Sequence, residues 1–171
     1  MSFREVKAEE LTMNPFTKIG KEWLLITAGN EEKMQYHDSK LGVQMGVMWG
    51  KERSDSVYPS SEIHQGICGQ GRYIYNFCSG RRVSQGIKLL AERFPEKNAD
   101  NKIKEAGLTP YFTDGTAGIE EADMIMVCKK MYHDEIKPEC FDAGENDGKW
   151  YPQKDYHTMY IAEILKVLVR E

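Results

Sequence analysis

The sequence predicts a mainly β protein with short helices, built as an antiparallel barrel or sandwich, and three stretches carry that prediction. EEADMIMVCKKMYH sets Ala122, Met124, Met126 and Cys128 against charged or smaller neighbours, which is the period-two pattern of a half-buried strand. MYIAEILKVLV, from Met159 to Val169, repeats the pattern with Ile161, Leu165, Val167 and Val169 on one face. Strand-like segments near both ends, with the long polar excursion KPECFDAGENDGKWYPQKDYH between the last two strands, fit an antiparallel all-β layout.

Taken in order, Ala8 to Leu11 can open a short helix. TMNPF ends it, because Pro15 restricts Asn14 to extended geometry, and a strand should follow. EWLLITAGNEEKM supplies that strand from Trp23 to Thr27, then a polar turn around Gly29 and Asn30. LGVQMGVMWGK is apolar and glycine-rich, the composition of a segment whose backbone passes close to another backbone or a ligand. From Met34 to Phe77 no steady period holds, and from Glu52 the pattern dissolves. Order resumes at NKIKEAGLTPYF, where Lys102 to Ala106 reads as the last turn of a helix capped by Gly107. Asp114 and Gly115 then form a turn ahead of the first of the two C-terminal strands. No internal repeat or low-complexity segment is present.

A length of 171 residues fits one domain, 1–171, with a real core. A net charge of -4 and a pI of about 5.7 leave no basic field for a nucleic-acid backbone or an anionic membrane. The opening MSFREVKAEELTMNPF carries charge from Arg4 and no apolar run, so it reads as neither signal peptide nor anchor, and the expected location is cytoplasmic. Cys68, Cys78, Cys128 and Cys140 form no CxxC and are expected to be reduced thiols. His64 and Cys68 lack the further ligands a zinc site needs. No metal is expected. The glycines of GICGQGRY miss the GxGxxG register and follow no apolar strand, so they are no dinucleotide fingerprint.

Three segments, NPFTKIGKEWLLITAGNEEKM, MGVMWGK, and NKIKEAGLTP through KWYPQKDYHTMYIAEILKVLV, resemble the flavin reductase-like family that binds FMN in a split β-barrel, above all its flavoredoxin-type members. They cover roughly two thirds of the chain. The resemblance implies an FMN-binding oxidoreductase of flavoredoxin or flavin reductase type. It implies a homodimer with one FMN per subunit near the interface, and NADH, NADPH or a small electron-carrier protein as donor. It puts a histidine, His157 of DYHTMYIAEI, close to the flavin or the incoming nicotinamide, with Trp49, Lys51 and Tyr156 as candidate cofactor neighbours. The bland readings are a hydrogen-bonded histidine at a strand entry, a packed Trp49, a solvated Lys51, and Tyr156 and Tyr160 filling the barrel mouth.

The family's flavin-holding segments, NTMTASWG after KM and a strand ending in RPQRYT, are missing here. QYHDSKLG and ERSDSVYPSSEIHQGICGQG stand in their places. A reading-frame step relates them. QYHDSKLG can be written CAA TAC CAT GAC AGC AAG TTG GGG, and one base on this reads NTMTASW. ERSDSVYPSSEIHQGICGQGRYIYNFC likewise shifts to NVAIVFIRPQRYTKEFVDKEDIFTTS. Two blocks, about Gln35 to Val43 and Glu52 to Ala99, are therefore read as out of frame. In a repaired frame the phosphate-holding positions fall at Gln35, Tyr36, His37, Asp38, Ser39, Pro59 and Glu62. As printed, Asp38 and Glu62 would repel a phosphate dianion, which needs hydroxyls, amides and a guanidinium. The chain as written is thus expected to lose a core strand at SDSVYP, to fold poorly and to bind FMN weakly. The alternative is a non-catalytic split-barrel dimer, or a frame-damaged product without flavin. SGRR at Gly80 to Arg82 looks like the family's SGR element but lies too early, so the match is taken as accidental.

Overall fold

The computed structural model describes residues 2–22, 24–29, 31, 34–39, 44–48, 50–59, 74–93 and 103–171. Ten strands are described: β1 (Phe3–Val6), β2 (Leu24–Gly29), β3 (Met34–Ser39), β4 (Gln44–Met48), β5 (Lys51–Pro59), β6 (Ile74–Ser79), β7 (Pro110–Thr113), β8 (Thr116–Ile119), β9 (Met124–Glu135) and β10 (His157–Arg170). Helices are α1 (Pro15–Gly20), α2 (Arg81–Arg93) and α3 (Glu145–Trp150), with single 3-10 turns at Ala8–Glu10 and Pro138–Cys140. Eight strands form one antiparallel sheet in the order β3-β2-β6-β9-β10-β5-β4, with β1 added to β10, while β7 and β8 pair as a separate hairpin. Among the described residues no ladder joins β3 to β4, so the sheet is left open.

Local chemistry explains most boundaries. Asn14 is extended, as the following proline requires, and its side chain accepts from the amides of Phe16 and Thr17. Asparagine at the cap with proline at the first helical position starts α1, a helix where the sequence reading expected only a break before the strand. Asp114 and Gly115 both have positive φ, 50° and 71°, which closes β7–β8 in a two-residue turn of primed type. Gly107, at φ 69°, ends the helical turn at 103–105, and Leu108 donates to the Ile103 carbonyl at 3.0 Å.

β2 and the first half of β9 are buried on both faces. Leu24, Ile26 and Ala28 of β2 pack with Met124, Met126 and Cys128 of β9 and with Tyr160, Ala162 and Val167 of β10. The intervening Leu25 and Ile125 face the opposite way, against Cys78, Val83 and Ile87, Ile103, Leu108 and Ile119, where α2 and the β7–β8 hairpin cover them. Each such aliphatic side chain contributes roughly 1.5–3 kcal/mol by leaving water.

Two corrections to the alternation follow. Ala122 packs with the second cluster, not with Met124 and Met126. On β10 the ladder to β9 shifts between Ile164 and Lys166, whose partners Cys128 and Val127 are adjacent, so Leu165 is an extra residue without an opposite number. That bulge reverses the inward parity, which runs through Tyr160 and Ala162 before it and Val167 after it. Leu165 itself is 45% exposed and does not share a buried face with Ile161.

The stretch expected to lose a strand keeps one. Lys51–Pro59 pairs with β10 on one side and β4 on the other, and Met34–Ser39 pairs with β2. Backbone ladders need no alternation of their own when neighbouring strands supply the partners. α2 and β6 also lie where the sequence showed no pattern. The helix places Val83 and Ile87, four apart, into the core, and its first turn is tied down by Ser84 bonding the carbonyls of Gly80, at 2.9 Å, and Glu22.

Candidate functional site

The start of β10 and the excursion before it bring together a histidine, three aromatic rings, an aspartate and a lysine. His157 opens β10 opposite Pro59 of β5, and its carbonyl accepts from the Ile136 amide at 2.9 Å. Its Nδ1 is buried and has no hydrogen-bond partner among the described residues. The imidazole instead meets the buried ring of Tyr151 edge to face, with centroids 5.4 Å apart and planes at 74°. Burial holds the imidazole below the usual histidine pKa of 6.5, opposed by the Asp155 carboxylate. Burial likewise raises the Tyr151 phenol, helped by Asp155 and opposed by a backbone hydrogen bond from His157.

Tyr151 is framed by further rings, Tyr156 at 5.0 Å and Phe141 at 5.9 Å. Asp147 of α3 ties this corner together, accepting from the Tyr156 hydroxyl at 2.8 Å and from Lys154 Nζ at 2.6 Å. Those two bonds, the lysine's first, hold the carboxyl below its ordinary pKa. Lys154 sits at φ 58°, a left-handed conformation uncommon for lysine, where its amide closes a turn onto the Tyr151 carbonyl.

A cleft of about 540 Å3 opens beside this corner, lined by Lys130, His133, Lys137, Tyr156, Thr158 and Tyr160. His133 and Tyr160, direct partners across β9 and β10, stack at 5.8 Å with planes 15° apart, and Lys130 Nζ lies 5.9 Å from the Tyr160 centroid. Lys137 is paired with Asp134 at 2.8 Å. Side chains alternate along a strand, so Thr158 and Tyr160 face the cleft while His157 faces Tyr151.

Of the residues singled out from sequence, the structure brings together Tyr156, His157 and Pro59. Lys51 is at the other end of β5, eight residues and about 26 Å of strand from Pro59. The β3 residues Gln35, Tyr36, His37, Asp38 and Ser39 lie on an edge strand. Tyr36 falls in the row Tyr36–Thr27–Asn76–Val127–Lys166, and His37 and Asp38 in the rows that end at Val167 and Leu168, all far along β10 from His157. Trp49 and Glu62 lie outside the described residues, as do His64 and Cys68. Sequence reasoning passed over Tyr151 and Asp147. The available signal was the aromatic pair Trp150–Tyr151 inside an otherwise polar stretch.

No protein-family model and no curated protein matches the chain. Solved structures do match. The chain is similar to nitrilotriacetate monooxygenase component B from Bacillus cereus, with TM-score 0.64, 13% identity, and 100% of this chain and 83% of that one covered. The fold is the flavin reductase split barrel. A Shewanella frigidimarina protein described as a flavin reductase with a split barrel domain aligns at TM-score 0.62 and 14% identity, over 87% of this chain and 67% of that one. An FMN-binding domain of a flavin reductase-like enzyme from Shewanella baltica aligns at 0.60 and 12%, over 98% and 77%. At such identities the likeness is one of split-barrel architecture, and the mainly β class expected from sequence holds.

Flavin makes two demands on a split barrel, a flat aromatic-lined slot for the ring and a cationic or amide cradle for the phosphate. The rings meet the first demand only in part: His133 and Tyr160 stack on each other beside the cleft, while Tyr151 and the orphaned His157 nitrogen lie on the other face of β10. The residue types on β3 do not fit the second, since QYHDS brings a carboxylate and no guanidinium.

Proposed function

We propose that the protein is a flavin-binding oxidoreductase of flavin reductase type, working as a homodimer with FMN, and with NADH, NADPH or a small electron-carrier protein as donor. What supports the reading is the split-barrel likeness along 87–100% of the chain together with a half-buried, unpartnered imidazole at the head of β10. Bound flavin would supply two-electron acceptance from a hydride donor. The protein's own part is to hold a neutral His157 at the edge of an aromatic corner, able to accept or donate one hydrogen bond, and to shut water out of it. The similar Bacillus cereus structure is a monooxygenase component, which makes a monooxygenase a reasonable recipient of reduced flavin.

A second reading, a split-barrel dimer that has lost its flavin, is favoured by Asp38 on β3, whose charge opposes a phosphate there. Adding FMN to the purified chain, removing excess and recording the absorbance spectrum separates the two. A yellow dimer whose flavin is rapidly bleached by NADH or NADPH in stopped flow supports the first, and a stable, colourless dimer supports the second.

A further inference from the structure

We propose that Tyr151 is a positioning residue for His157, and that the strap of residues 145–156 is clamped by Asp147 so that this ring stays seated against the imidazole. Its value for flavin chemistry rests on the function proposed above, but the contact itself does not need a flavin.

The geometry supports three links in series. His157 has no hydrogen-bond partner at its buried Nδ1, so no directional bond from that atom fixes the ring. A bare imidazole at a strand entry would otherwise sample more than one rotamer. What restrains it is Tyr151, whose ring meets the imidazole edge to face at 5.4 Å between centroids and 74° between planes.

Tyr151 is in turn held from behind. Its amide donates to the Asp147 carbonyl at 2.9 Å, and its carbonyl accepts from the Lys154 amide at 3.0 Å. The Asp147 carboxylate grips the far side of the same loop through both Tyr156 and Lys154. One aspartate therefore joins three positions of the strap, and two of them, Tyr151 and Tyr156, carry rings in mutual contact. The left-handed Lys154 places its ammonium on Asp147 while its amide caps the Tyr151 carbonyl.

The groups that face His157 are the Tyr151 phenol and the Asp155 carboxylate from the strap. Ile136, just past the end of β9, donates its amide to the His157 carbonyl, and β5 contributes Pro59 as its ladder partner. Loosening the strap admits water to the imidazole and favours its charged form.

The test is an NMR pH titration of the histidine ring protons in the full chain, with the His157 signal assigned by its loss in His157→Gln. Tyr151→Leu removes the ring edge and should raise the titration midpoint of His157 toward that of an ordinary histidine. Tyr151→Phe keeps the ring and should stay closer to the wild-type midpoint. Asp147→Asn, a change at a side chain 22% exposed, should move it the same way as Tyr151→Leu by a smaller amount. A folded Tyr151→Leu with an unmoved midpoint overturns the proposal, as does a Phe variant displaced as far as the Leu one. If Tyr151→Leu does not fold, Asp147→Asn decides alone: a raised midpoint supports the clamp and an unmoved one refutes it. None of these readings depends on bound flavin, so a colourless protein would leave the positioning role standing.

Discussion

Lys166 of β10 donates to Asp114 at the tip of the β7–β8 hairpin, Nζ to Oδ1 at 3.0 Å, across 52 residues of sequence. The bond pins the separate hairpin to the strand that carries the main sheet. The Lys166 hydrogen bond, seconded by Thr113, holds the Asp114 carboxyl below the ordinary aspartate value of 3.8. A depressed carboxylate stabilises the fold at pH values above its unfolded pKa, and that contribution disappears as pH falls through the folded value. Asp114→Asn keeps the left-handed turn and should cost under about 1 kcal/mol near neutral pH, since both groups are partly exposed. Urea unfolding at neutral pH and near pH 2.5 should show that difference shrinking in acid.

The bulge at Leu165 makes two neighbouring apolar positions unequal. Leu165→Ala should change stability by no more than about 0.5 kcal/mol, because the side chain stands in solvent. Met126→Ala, at a fully buried position of the first cluster, should cost about 2–5 kcal/mol. Denaturant midpoints measured for both variants check the contrast.

Burial pushes the Cys78 thiol up to about 12, outweighing the Thr27 hydrogen bond that favours its thiolate. Cys140 is exposed. Alkylation near pH 8 followed by peptide mapping should label Cys140 promptly. Cys78 and the buried Cys128 should react only after denaturant is added.

The family resemblance puts the phosphate grip on β3, and that expectation can be tested by repair. Replacing Gln35–Leu41 with NTMTASW exchanges a carboxylate for hydroxyls. It should tighten FMN binding by at least about tenfold, equivalent to about 1.4 kcal/mol. FMN fluorescence quenching measures it, and equal affinity in both chains would count against the resemblance at this segment.

The reading that the blocks Gln35 to Val43 and Glu52 to Ala99 are out of frame makes a specific prediction at the level of DNA. Resequencing the source gene should reveal compensating insertions and deletions at the block edges. A clean read that reproduces the printed residues would return both segments to ordinary divergence.

The legible parts of this molecule were those whose local chemistry and tertiary role agree. MIMVCK reads as a strand from its period of two, and it forms one, although Met124 to Cys128 are buried on both faces and not half-buried; Asp114–Gly115 reads as a turn, and both adopt positive φ. α1 was overlooked because Pro15 was read as a stop, when Asn14 before it makes the pair a start. β5 was invisible because its ladders depend on β4 and β10, and α2 because Val83 and Ile87 sat inside a stretch without a longer period. The site was half legible. A histidine before a strand can be seen in sequence, whereas its dependence on Tyr151 and Asp147 arises only when the strap folds back.

Because β2 is enclosed by one apolar cluster on each side, Leu24 through Ala28 lack the forgiving alternate positions that most antiparallel strands possess. A saturation survey of this gene should therefore find an unbroken run of five intolerant codons at LLITA. Natural variation will be channelled instead into segments such as the distal half of β9, where Lys129 to Glu135 run partly or fully in solvent.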